Sequence, residues 1–333
     1  TGSEDAAAWQ RRERSFPLSL LSGSASVTRF TVTEMPEEPD FDGLRFEPLL
    51  AAGERRESIG FLPFELDAPY RVGHDRFAFR VRIDTLRPDP TAVAERFKEL
   101  VATELAASGL QYLGSRKRRE LRELAAEELV HRTAPRAKVV EGCLDGRTLW
   151  LGTTAKAHLG TILLLLRQLG VAADFHAPWL AAGEDEPQHP FFEVREPGQS
   201  VWGCRFLRAL VEEGEVLVEP LVGSVRLQTR EAKVTLAGAV IPELLRFLDE
   251  GAEPLSARLV AGDHRFRLEA STFRVSSLSL ETARHDHWTE LFDERLEKIA
   301  ALFELLDGKY RELRPRLAED DGAAGGEAPQ AEA

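Results

Sequence analysis

Arg76-Phe77-Ala78-Phe79-Arg80-Val81-Arg82-Ile83 alternates without a break between apolar residues and positions held by three arginines and an alanine. A period of two belongs to a strand with one buried face, so Phe77, Phe79, Val81 and Ile83 predict the inner face, with Arg76, Arg80 and Arg82 opposite. The period then changes. Asp89 precedes Pro90, and Val93, Phe97, Leu100, Val101 and Leu105 recur at helical spacing until Gly109, which predicts a capped helix with proline at its first position. A second helix is expected from Ser115 to about His131, with Leu121, Leu124, Ala125 and Leu129 inward and Pro135 closing it.

Further elements obey the same rules. Val27 to Val32 predicts a strand, with an acid- and proline-rich loop after it. Lys138 to Leu144 and Arg147 to Leu151 predict a hairpin turning on Asp145 and Gly146, a dipeptide suited to positive φ. Thr154 to Leu169 predicts a helix. Strands are expected at 215–222, 225–228, 234–236, 266–268 and 273–280, with a helix at 242–248. A long helix from about Asp286 to Arg314 carries Leu291, Phe292, Leu296, Ile299, Leu302, Phe303, Leu306 and Tyr310 as its apolar stripe. The pattern gives an α+β protein with mixed, largely antiparallel sheets and flanking helices, in two parts with disordered tails. The expected divisions are an extension at 1–24, a basic part at 25–182, a linker at 183–200, a second part at 201–316 and an acidic tail at 317–333.

Composition removes some function classes. At 333 residues the chain can bury a sizeable core unaided. Cys143 and Cys204 are the only cysteines, too few for a disulfide framework or a thiolate metal site, and a reducing, cytoplasmic compartment is the expectation. The apolar run Ile162 to Leu166 is far shorter than the roughly 20 residues of a membrane helix. The chain begins with Thr1, and the polar, patternless stretch to Ser15 reads as lying outside the fold. Arg11 and Arg12 before Phe16 make a poor export signal, because Pro17, Gly23 and Arg29 break the stretch that would have to be apolar.

The net charge of −13 opposes a polyanionic partner, yet residues 71–138 hold 15 Lys or Arg against 10 Asp or Glu, a local +5 that leaves −18 elsewhere. The densest stretch is Ser115-Arg116-Lys117-Arg118-Arg119-Glu120-Leu121-Arg122. Cations in a first helical turn oppose the macrodipole unless an anion offsets them. Glu120 and Glu123 stand four residues after Arg116 and Arg119, so Lys117, Arg118 and Arg122 are the expected unneutralised charges. A solvated, salt-bridged face is the bland alternative. Adding Arg76, Arg80 and Arg82 from the strand and Arg132, Arg136 and Lys138 beyond the helix favours phosphate binding. No base-reading motif is present, so contacts would be to the backbone, whatever the sequence.

Enzymatic readings have less behind them. His285-Asp286-His287 invites a metal phosphodiesterase, but adjacent helical residues point about 100° apart, and Asp286 reads more simply as a helix cap. Glu184, Asp185 and Glu186 read as solvation of the linker. No phosphate-cradling Gly-Lys-Ser/Thr loop, nucleophile elbow or His-Glu-x-x-His occurs. No cofactor or metal is expected, nor any catalytic residue. The alternatives to nucleic-acid binding are a metal-dependent exonuclease and a protein-interaction scaffold without DNA.

Ile59-Gly60-Phe61-Leu62-Pro63-Phe64 resembles the entry segment of the recombination-associated RdgC family, and Ser115 to Glu123 resembles its Ser-Arg-Lys-x-x-x-Leu-x-Glu run. Pro135 and Arg136 before a strand, Trp150 with Thr153 and Thr154, and the long last helix come in the same order. The likeness spans about Ser24 to Arg316 in gross order and fades in the second half. It implies a nucleoid-associated homodimer, ring-shaped with duplex DNA in a basic hole, that restrains recombinase-driven strand exchange. It also accounts for the charge segregation, since a Debye length of about 10 Å screens outer acids from an enclosed basic surface.

Overall fold

A computed structural model describes residues 20–324, apart from 50–54, 66, 67, 74, 131, 184, 188, 190, 191, 215, 220–222, 239 and 240. The expected α+β class is observed, with seven α-helices among the described residues and twelve strands paired antiparallel to their neighbours. The chain divides into two compact units, and the division does not fall at residues 183–200. Unit 1 comprises residues 1–39, 67–79 and 140–333, and unit 2 comprises residues 40–66 and 80–139.

Unit 1 is closed by long-range pairing. Strand β1 (Ala25–Glu34) pairs with β5 (Thr148–Leu151) along one edge. Its other edge is shared between β12 (Arg274–Ser279), which meets Ala25 and Val27, and β6 (Ala172–Phe175), which meets Phe30 to Glu34. The sheet continues from β12 through β11 (His264–Glu269) and β10 (Glu253–Ala261) to β8 (Ser224–Gln228) and β9 (Lys233–Ala237), while β7 (Leu217–Val218) pairs with β10. On the far side β5 pairs with β4 (Arg136–Asp145), and Gly146 makes the turn at φ 56°, as Asp-Gly predicted.

The helices of this unit supply its core. They are α3 (Lys156–Gln168), α4 (Pro178–Ala181), α5 (Val201–Glu213), α6 (Ile241–Asp249) and α7 (Trp288–Ala324). The expected stripe of α7 is buried at Phe292, Leu296, Ile299, Leu302, Phe303, Leu306 and Tyr310. Tyr310 lies 5.4 Å from Phe206 and 6.1 Å from Trp179, and Phe273 lies 5.9 Å from Phe303. Burial of such side chains contributes about 1.5–3 kcal/mol each.

The fold extends into both segments expected as tails. Leu20 is buried, and its carbonyl accepts from Arg295 Nε at 2.7 Å while the Glu141 carboxylate accepts from the amides of Leu20 and Leu21. Residues 20–24 therefore belong to the fold, and residues 1–19 lie outside the described region. At the other end the helix backbone continues to Ala324, past the expected helix end near Arg314, and residues 325–333 are not described.

In unit 2, β2 (Glu57–Leu62) pairs with the later residues of β3 (Arg76–Thr85), register Gly60 to Arg82. Helices α1 (Pro90–Ser108) and α2 (Ser115–Val130) form a hairpin. Gly60 has a steric cause: a Cβ there would lie 2.4 Å from the Phe46 Cα, because residues 45 and 46 cross directly over β2. Strand β3 departs from expectation. Ala78 and Arg80 are as buried as their apolar neighbours, and Arg76 and Arg82 are only partly exposed.

Candidate nucleic-acid interface

The α1–α2 hairpin is specified locally. The Asp89 carboxylate accepts from the amides of Thr91 (2.7 Å) and Ala92 (3.2 Å), and those bonds hold its pKa below the ordinary carboxylate value. Gly109 ends α1 at φ 68°. The Gly114 carbonyl accepts from Arg118 N at 3.0 Å and opens α2. Phe97, Leu121 and Ala125 pack between the helices, with Val93, Leu100, Val101 and Leu113 around them. Leu124, expected inward, is 43% exposed. Arg96 bridges Glu99 (2.8 Å) and Glu128 (2.6 Å), which clamps one helix to the other.

This packing sorts the cations of α2. Arg116 pairs with Glu120 at 3.1 Å, and Arg119 approaches Glu123 at 3.8 Å, the pairs that the spacing predicted. Lys117, expected to be unneutralised, instead meets Glu104 of α1 at 3.0 Å, a contact created by the crossing of the two helices. Arg118 and Arg122 are exposed and have no ion-pair partner among the described residues. Their guanidinium carbons lie 6.0 and 5.2 Å from the centre of the Phe97 ring. The ring positions both cations by cation–π attraction without neutralising either. With Arg119, Leu113 and Ser115 they line a cleft of about 440 Å3 floored by Phe97. Arg132, Arg136 and Lys138 are also exposed, and Arg132 helps to lower the pKa of Glu128, as Arg136 does that of Asp89.

The three strand arginines are spoken for. Arg76 grips Asp145 with two bonds of 3.2 Å and reaches Asp293 at 2.7 Å, all within unit 1. Arg80 is 6% exposed and donates twice to the Pro63 carbonyl, at 3.0 and 2.7 Å. Arg82 forks onto Asp84 at 2.8 and 2.9 Å, with its guanidinium 4.6 Å from the Phe46 ring centre. These partners hold the three guanidiniums within the fold, unlike the arginines of α2. Alternation alone could not reveal this, because the opposite face of β3 is covered.

Elsewhere, polar clusters have structural partners. Helix α7 begins at Trp288, and the His287 carbonyl accepts from Leu291 N, so His287 and not Asp286 occupies the cap position. His285 bonds Glu294 at 2.6 Å, which raises its pKa, and Lys298 and His285 together bring Glu294 down to about 2. Among the described residues no group of three or more His, Cys, Asp or Glu could hold a metal ion. Cys143 and Cys204 are buried, and desolvation pushes both thiols well up.

One array escaped the sequence reading. The Thr31 hydroxyl lies 2.7 Å from His176 Nδ1, and His176 Nε2 lies 3.9 Å from Asp307. The order hydroxyl, imidazole, carboxylate suggests a catalytic relay, but both Asp307 oxygens bond Arg29, at 2.7 and 2.8 Å. Arg29 in turn sits 4.8 Å from the Phe303 ring centre. The array ties α7 to β1, and nothing in the spacing of residues 31, 176 and 307 could have announced it.

No protein-family model matches the sequence, and no match to a curated protein was found.

Proposed function

We propose that the chain binds DNA through its phosphate backbone, without sequence preference, on the α2 side of unit 2. The observation that carries this reading is the pair Arg118 and Arg122, exposed cations beside Phe97 that form no ion pair among the described residues. On the same helix Arg116 and Arg119 have acids four residues on, at 3.1 and 3.8 Å, whereas Arg118 and Arg122 have none. Arg132, Arg136 and Lys138 complete a set of five cations. Unit 2 carries 16 Lys or Arg against 15 Asp or Glu, so the acidity of the chain resides in unit 1. The likeness of residues 59–64 and 115–123 to the RdgC family supports a homodimer that encloses duplex, restrains recombinase action in the nucleoid, and also accepts single strands. No catalytic step is part of the proposal.

The test is a salt titration of binding to a duplex of arbitrary sequence. Five phosphate contacts predict a slope of log affinity against log salt of about −4.5. A slope near zero, or no binding at low salt, removes the reading, and time-dependent loss of labelled duplex with magnesium or manganese would replace it with a nuclease.

A further inference from the structure

Strand β6 has one partner. Ala172 to Phe175 pair with β1, and among the described residues no strand pairs with its other edge. Helix α3 runs beside it, and together they border a cleft of about 620 Å3 within unit 1. Leu159, Leu163, Leu164, Val171 and Phe175 make much of its wall. Leu164 is 66% exposed there, an apolar surface next to an open strand edge.

One end of the cleft has a different chemistry. Arg274 of β12 lines it and is only 7% exposed. Its guanidinium makes long contacts, 3.4 Å to the Thr154 carbonyl and 3.5 Å to Glu196, and its buried Nε has no partner among the described residues. Burial lowers its pKa despite Glu196, the signature of a cation that its surroundings compensate incompletely. Lys156, at the start of α3, shares the same carboxylate at 3.7 Å. Two cations on one carboxylate leave room for a second anion. Glu34, Asp174 and Arg167 also line the cleft, without ion pairs among the described residues.

We propose that this cleft docks the carboxyl-terminal end of an extended peptide, which adds as a strand to β6 and places its terminal carboxylate at Arg274 and Lys156. The four residues of β6 match about four peptide residues at roughly 3.3 Å each. The last of these residues is apolar, facing Leu159 and Leu163, and those upstream are polar, facing Glu34, Asp174 and Arg167. A peptide fits better than a small apolar acid, because only a peptide backbone also satisfies the donors and acceptors of an open strand edge. The inference is independent of the nucleic-acid reading, which uses other residues.

Fluorescence anisotropy of the full chain tests it with two labelled pentapeptide pools, both with Leu, Val, Ile or Phe at the last position, one ending in a free carboxylate and the other amidated. The carboxylate pool binds, and the amidated pool binds at least about tenfold more weakly, the scale of a lost charge-assisted bond. Leu164→Glu and Lys156→Glu, on exposed positions, each weaken the carboxylate pool about tenfold while the circular dichroism spectrum stays unchanged. Equal binding of the two pools, or none up to about 1 mM, overturns the proposal. Full displacement of the bound pool by equimolar decanoate also overturns it, in favour of a small amphiphile.

Discussion

Unit 2 contains arginines of two kinds, on β3 and on α2, and a sequence reading treats them alike. Arg80 and Arg82 are folded into the protein, one donating twice to a backbone carbonyl and the other forked onto Asp84, which is 2% exposed. Arg118 and Arg122 lie beside an aromatic ring and have no side-chain hydrogen bond or ion pair among the described residues. The difference lies in what each guanidinium is offered. A carboxylate or carbonyl neutralises or saturates the fork, whereas a ring face steadies it and leaves its hydrogen bonds unspent. Counting arginines therefore locates charge, and only their acceptors say whether it is available.

The contrast predicts separable phenotypes. Arg82→Ala strands a buried carboxylate and should destabilise unit 2 by about 3–5 kcal/mol, seen as a large fall in the denaturation midpoint; a loss under about 1 kcal/mol would place Arg82 with the helix arginines. Gly60→Ala should lower stability by about 2 kcal/mol because the backbone at Phe46 must move aside, and an unchanged melting curve would show that β2 is less tightly covered than its geometry implies. Arg118→Glu with Arg122→Glu should do the opposite. Stability stays within about 0.5 kcal/mol, while duplex affinity falls at least about tenfold and the salt slope shrinks by about 2. Unchanged affinity would remove α2 from the site.

The smallest expected effect concerns His176. Burial lowers its pKa below 6.5, with Arg29 adding to the shift. The unfolded chain then binds more protons than the folded one between that lowered value and 6.5. Stability therefore rises with pH across this window and declines on acidification through it. In His176→Asn this part of the pH dependence should flatten, and an identical pH profile in the variant would assign the titration to another group.

How much of the molecule is legible in its sequence depends on the range over which each feature is decided. Asp89, Pro90 and Gly109 fix α1 from its own residues, and Asp145-Gly146 fixes a hairpin. Helix α5 has comparable signals, Ser200 accepting from Trp202 N and Gly214 at φ 75°, but the boundary expected at residues 183–200 hides them. Strand β10 escapes because Pro254 argues against a strand interior, and its burial on both faces erases alternation. In the site, the pairs Arg116–Glu120 and Arg119–Glu123 are set by spacing on one helix. The capture of Lys117 by Glu104 is not, because it requires the angle between two helices. The inward turn of Arg80 and Arg82 requires knowing what covers β3.

The two-sided use of β1 bears on how the chain is made. Val27 pairs with Val275, so at about 5–20 residues per second a ribosome leaves that part of the edge unmatched for roughly 12–50 s. The β5 and β6 partners emerge earlier, which predicts that a nascent chain released near residue 180 carries a half-sealed first strand. Sequence separations this large slow folding, since loop closure precedes any reward from contact. The edge of β1 at Ala25 and Val27 thus stays open until β12 has been made.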